Sequence, residues 1–191
     1  MRRLALAAAL ALVAGPALAH TGHSEGGFID GLSHPIFGLD HVLAMVAVGL
    51  WAAQLHLSNA KALWSLPVAF MTAMAIGAGV SLAGIGIPLV EAGITGSIVV
   101  LGLAVAIGRQ LPTTVAMAVV GAFALFHGHA HGTEMPELAA PTLYGLGFLI
   151  ATGALHLVGV FGGLAATRLS GIVLRTAGGL VALTGLALFA A

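Results

Sequence analysis

Residues 34–55 read HPIFGLDHVLAMVAVGLWAAQL, and this stretch decides the fold. From Val42 to Leu55 no side chain is charged and the polar amide of Gln54 comes only near the end. A helix that is apolar on every side lies inside a large core or inside lipid. Leu39 to Leu55 approaches the roughly 20 residues needed to cross a bilayer. His34, Asp40 and His41 are gathered at one end of this run, where a spanning helix would meet water.

The whole chain settles which apolar medium is meant. Of 191 residues 60% are apolar and 6% are charged, against about 25% charged in a soluble domain. Mean hydropathy is +1.12. Six basic and six acidic side chains cannot solvate the surface of a soluble domain this long, so most of that surface faces lipid. The same numbers exclude a disordered chain and a nucleic-acid binder. With no cysteine there is no disulfide, no thiolate metal site and no cysteine nucleophile, and metal chemistry falls to nitrogen and oxygen ligands. Nine histidines against six Lys and Arg together are therefore the anomaly.

Outward from residues 34–55, Met1-Arg2-Arg3 followed by apolar Leu4 to Gly15 and by Ala17-Leu18-Ala19 has the form of a cleavable signal peptide, residues 1–19. An uncleaved anchor helix is the alternative, disfavoured by Gly15-Pro16 and by polar residues from His20 onward. Apolar windows recur at Leu39–Leu55, Ala60–Ala83, Gly93–Ile107, Thr113–Phe126, Leu143–Gly163 and Ile172–Ala190. The expected architecture is an all-α polytopic membrane protein, with residues 20–191 forming a single six-helix transmembrane domain. Gly77, Gly79, Gly159 and Gly163 are expected to let helices pack closely.

Cleavage leaves the mature N-terminus outside, and cytoplasmic loops should hold the basic residues. On that topology Lys61, Arg109, Arg168 and Arg175 all fall inside, whereas Glu25, Asp30, Glu91, Glu134 and Glu137 fall outside. Leader and basic loops thus point to one orientation: a bacterial inner-membrane protein with a periplasmic N-terminus. Span 4 runs opposite to span 1, which permits a three-plus-three inverted repeat, although the halves share no convincing sequence similarity.

Two clusters carry chemistry, both on the external side. With Pro35 in a first helical turn, His34 and His41 lie two turns apart on one face, and Asp40 can ligate a divalent ion or orient a neighbouring imidazole. The competing structural reading is a capping Asp40 with interfacial histidines. The second cluster is Phe126-His127-Gly128-His129-Ala130-His131-Gly132-Thr133-Glu134. On a continuing helix His127, His131 and Glu134 form one stripe and His129 points away; the competing reading is a His-rich loop loosened by Gly128 and Gly132. Together the clusters can fill a coordination sphere that neither fills alone.

Isolated residues say less. Glu91 either completes the site or is a solvated loop carboxylate. His156, an ionisable group within span 5, is a relay for metal or protons or a hydrogen-bonding partner for another helix. His56 is expected at the inner interface, His20 and His23 at a capture site or a frayed terminus, and Met45, Met71, Met74 and Met117 in helix packing.

The runs HPIFGLDHVLAMVAVGLWA and FHGHAHGTE resemble the signatures of the HupE/UreJ family, metal permeases associated with hydrogenase and urease maturation. The resemblance covers nearly the whole chain. It implies import of nickel, or in some members cobalt, and carries over His34, Asp40, His41, His127, His131 and Glu134 as functional positions, with Glu91 and Phe70 matching further family positions. His129 falls in a variable slot.

The resulting expectation is a secondary uptake permease, not an enzyme, that moves a divalent transition metal, nickel first and cobalt second, from periplasm to cytoplasm. Its metal residues are His34, Asp40, His41, Glu91, His127, His131 and Glu134. Imidazole and carboxylate do not by themselves choose the metal; nickel comes from the resemblance. No GxxxxGK[ST] run is present, so no ATPase partner and no prosthetic group are expected, and the partners are the metal ion and the bilayer. The alternatives are an intramembrane zinc hydrolase and a membrane metal receptor that does not transport.

Overall fold

In the computed structural model, residues 27–135 and 140–190 are described; the leader, His20, His23 and Glu137 lie outside them. Seven helices and no strand occur among the described residues. They are α1 (Phe28–Phe37), α2 (Leu39–His56), α3 (Ala62–Leu82), α4 (Val90–Ile107), α5 (Thr113–Glu134), α6 (Pro141–Leu169) and α7 (Gly171–Phe189). The last six are long and apolar enough to cross a membrane. In lipid a backbone has no water to bond, and helices satisfy it internally.

The six spans coincide with the apolar windows, with two informative differences. Span 4 does not stop at Phe126 but continues as α5 to Glu134, so the His-rich segment is helical and not a loop. Gly128 and Gly132 do not loosen it, because both face α3: a side chain at Gly128 would strike the Met74 backbone, and one at Gly132 would meet Ser81 and the Ala78 carbonyl. The second difference is a correction. Pro35 is not in the first turn of a helix that runs on to His41; it lies inside the separate helix α1. Gly38, extended at φ −85° and ψ 109°, ends α1 and begins α2. His34 and His41 therefore belong to two helices and do not share a helical face.

Helix α2 runs through the centre, buried along almost its whole length. Its own Trp51 and Leu55 join Leu66, Phe70, Ile98 and Leu101 of the neighbouring helices in the core, while Trp64, Ile76, Phe161 and Leu183 point outward, as lipid-facing side chains do. The closest packing is pairwise: α2 with α6, α3 with α5, and α4 with α7. Each pair crosses where glycines let backbones touch. Gly49 abuts the His156 carbonyl while Gly159 abuts that of Val46; Gly128 abuts the Met74 carbonyl while Gly77 abuts that of Leu125; Gly102 and Gly178 abut each other's carbonyls. Gly163 also packs, against Leu50 and Ala53, but Gly79, expected at an interface, meets nothing.

The ends of the bundle differ. At the end bearing His41, the α3–α4 loop turns through Gly84 and Leu89, both with positive φ. At the other end Ser58 donates to Gln110 Oε1 at 2.8 Å, Gln110 donates to the Gln54 carbonyl at 3.1 Å, and Asn59 donates to Thr113 at 2.8 Å. These bonds tie the end of α2 to the segment that opens α5. Lys61 and Arg109, in the connections before α3 and after α4, and Arg168 and Arg175, either side of the α6–α7 junction, also lie at this end, and Arg175 Nε donates to the Ala106 carbonyl at 2.8 Å, covering the C-terminus of α4.

Candidate metal centre

The N-terminus of α2, the C-terminus of α5 and the helix α1 bring both sequence clusters to one mouth of the bundle. His34 Nε2 lies 3.3 Å from Glu134 Oε2, and His131 Nδ1 lies 3.9 Å from the same oxygen. One ligand atom from each of His34, His131 and Glu134 falls within 4.8 Å of the others. The imidazoles then continue inward. Ring centroids are 4.9 Å apart for His34 and His131, 4.3 Å for His131 and His41, and 5.0 Å for His41 and His127. The outer members of this line are partly exposed, the His34 and Glu134 side chains at 35% and 49%, whereas His131, His41 and His127 are buried, His127 completely.

Hydrogen bonding assigns two of the tautomers. Asp40 Oδ1 lies 2.7 Å from His41 Nδ1 and also accepts from the His41 backbone N–H at 2.9 Å. An ionised carboxylate only accepts, so His41 carries its proton on Nδ1 and keeps a free lone pair on Nε2, which is buried and has no hydrogen-bond partner. A carboxylate thus holds an imidazole as it does in many metal sites. At His127, Ser97 plays the corresponding part. Ser97 Oγ donates to the Ile94 carbonyl at 2.6 Å and lies 2.9 Å from His127 Nε2. With the Ser97 proton on the Ile94 carbonyl, His127 donates through Nε2 and presents a bare Nδ1, which has no hydrogen-bond partner among the described residues. Neither ring nitrogen of His131 has a partner among the described residues. Buried imidazole nitrogens left unpaired cost about 1–3 kcal/mol each, and a divalent cation is the ligand that would use several at once.

Gly38 is part of the same construction. A side chain there would come within 2.9 Å of His41 Nδ1 and 3.0 Å of Asp40 Oδ1, so the glycine leaves room for the carboxylate and the ring it orients. Tyr144 and Phe148 of α6 complete one wall, with Phe148 at 4.0 Å and His34 at 4.9 Å from the His131 ring centroid. Beside them an apolar cavity of about 240 Å³ opens between α3, α5 and α6, reaching His131.

Of the residues singled out in the sequence, His34, Asp40, His41, His127, His131 and Glu134 are brought together. Glu91 is not in this group; it stands exposed in the first turn of α4, at the same end of the bundle. His129 does face away from the stripe, toward the α3–α4 loop: its Nε2 is 2.9 Å from the Ile85 carbonyl and 3.2 Å from the Ile87 amide. Phe70 lies beyond His127, ring to ring at 5.6 Å. Sequence reading missed Ser97, Tyr144 and Phe148. Tyr144 is the only tyrosine in the chain, a weak signal; Ser97 and Phe148 offer none, because their roles come from partners distant along the chain.

A sequence model of the HupE / UreJ protein family matches residues 8–188. Protein HupE of Rhizobium leguminosarum bv. viciae is 48% identical over 184 residues, covering 94% of either chain. No solved structure matches. The chain, carrying both histidine motifs on a six-span bundle, therefore belongs to the HupE/UreJ family of hydrogenase and urease accessory membrane proteins, which are transport and accessory proteins and not enzymes.

Proposed function

We propose that this protein is a secondary permease that takes up a divalent transition metal ion, nickel first and cobalt second, from the periplasm into the cytoplasm. The observation that carries the reading is the convergence of four imidazoles and two carboxylates at one mouth of the bundle, two of the rings with a lone pair freed by a defined hydrogen bond. Such nitrogen and oxygen donors suit a borderline divalent cation. Partly exposed His34 and Glu134 capture the ion, and His131, His41 and His127 pass it to greater depth. Glu91 adds negative charge on the approach side. A divalent cation moving into an interior-negative compartment gains about 4.6 kcal/mol per 100 mV, so no ATPase is required.

The basic residues at the end opposite the histidines support a cytoplasmic position for that end. The glycine crossings support a three-plus-three inverted arrangement. In both the α2–α6 and the α5–α3 pair, each glycine abuts the carbonyl three residues before the opposing glycine, and in α4–α7 the two contacts mirror each other. Exchanging the first three spans with the last three maps this pattern onto itself, as a pseudo-two-fold axis in the membrane plane would.

The test is radiolabelled nickel uptake into proteoliposomes with an interior-negative potential, with Co, Zn and Cu as competitors. Accumulation that depends on the potential is expected, with nickel and cobalt competing best. Saturable binding without accumulation would make the protein a receptor instead.

A further inference from the structure

The line of rings does not end at His127. Phe70, wholly buried on α3, lies 5.6 Å from the His127 centroid and 5.1 Å from that of His156. His156 sits near the middle of α6, 1% exposed, where its backbone crosses Gly49 of α2. Neither of its ring nitrogens has a hydrogen-bond partner among the described residues, and neither has the hydroxyl of Thr152, one turn back on the same helix and wholly buried. The Thr152 carbonyl can accept from at most one N–H of the ring, which would fix the tautomer and leave the other nitrogen as a lone pair.

A buried ring nitrogen and a buried hydroxyl left without partners near the middle of α6 are costly in a core built largely of apolar side chains such as Phe70, Met45, Met74 and Val160. A packing role would be served by an apolar residue, and the pseudo-equivalent crossing on α3 has one: Met74 there occupies the place of His156, preceding its glycine by the same three residues. The asymmetry between the two crossings lies in a metal-ligating group, on the side of Phe70 away from the outer cluster.

We propose that His156, with Thr152 Oγ1, is a second, inner binding site for the same class of divalent cation, reached past the Phe70 ring from His127. The inference rests on the permease reading for its place in a pathway. Both protein donors are neutral, so the inner site binds more weakly than the outer one with its carboxylates, a descending order that lets an ion leave inward. The donor set, one imidazole nitrogen and one hydroxyl oxygen completed by water, favours a borderline transition metal over calcium or magnesium.

The absence of cysteine in the chain makes a direct test possible. Cobalt(II) is titrated into detergent-purified wild type, His156→Cys and Val158→Cys, the last on the lipid-facing side of the same helix. A thiolate–cobalt charge-transfer band is expected for His156→Cys alone, since a metal deprotonates a thiol only when it reaches it. Its absence, in protein whose outer cluster still binds cobalt, would overturn the inner site. Should His156→Cys fail to fold, the near-isosteric Thr152→Val serves: uptake of radiolabelled nickel at limiting metal is expected to fall about tenfold with outer-site affinity unchanged, and unaltered uptake would overturn the proposal. Failure of the permease reading looks different: wild-type proteoliposomes would accumulate no metal, whatever the band shows.

Discussion

The Asp40 carboxylate accepts twice from the residue that follows it, from the His41 backbone N–H at 2.9 Å and from His41 Nδ1 at 2.7 Å. One oxygen thereby satisfies an otherwise unpaired amide at the N-terminus of α2 and sets the imidazole so that Nε2 faces the cluster. The helix-end acceptor role of Asp40 and the orienting of the His41 ring proposed as a metal ligand are thus one arrangement.

From this pair, His41→Ala is expected to abolish nickel uptake at limiting metal. Asp40→Asn should weaken binding by about 10–100-fold, because the amide keeps an acceptor but loses the charge that raises the ring's basicity. Equilibrium nickel binding to purified protein, alongside membrane abundance, checks both; uptake at the wild-type rate in either variant would contradict the assignment.

Gly38→Ala tests the room around that pair. The added methyl would press on His41 Nδ1 and Asp40 Oδ1, so nickel affinity should drop while thermal unfolding in detergent changes little. A large loss of stability with affinity intact would place the glycine's importance in the α1–α2 break alone.

His129 and His131 are two positions apart and should behave oppositely. His131→Ala removes a ring 4.3 Å from His41 and should eliminate tight binding. His129→Ala frees the α3–α4 loop from its hydrogen bond at Ile85 or Ile87, which should speed amide exchange there and spare nickel affinity. Equal binding defects would refute the division.

Gly128→Ala should destabilise the bundle by about 1–3 kcal/mol, since the methyl would meet the Met74 backbone, which cannot turn aside. Gly79→Ala, facing open space, should be neutral or slightly stabilising. Denaturant unfolding in mixed micelles compares the two.

Protons and metal compete for the same imidazole lone pairs, so nickel affinity should fall as pH drops from about 7.5 to about 5.5. Replacing His41 and His131 together should remove most of that dependence. Affinity that stays flat in the wild type would shift the ligand assignment to Asp40, Glu91 and Glu134.

Six spans, and the gathering of both histidine motifs at one end, were legible in the sequence because they depend on additive, local quantities. Apolar length defines a span, and the parity of span number places the start of span 1 and the end of span 4 at the same end of the bundle. The i, i+4, i+7 spacing also sufficed to separate His129 from His127 and His131. What the sequence could not disclose was set by contacts between distant segments. Gly38 breaks the helix where a proline had suggested its start, and His34 regains proximity to His41 only because α1 packs its own glycine, Gly31, against Tyr144 of α6. The free lone pair of His127 depends on Ser97, thirty positions away in the chain. The line through Phe70 to His156 exists because α2, α3, α5 and α6 cross at glycines whose backbones touch. Those crossings fix depth and rotation, and so decide which buried nitrogens meet.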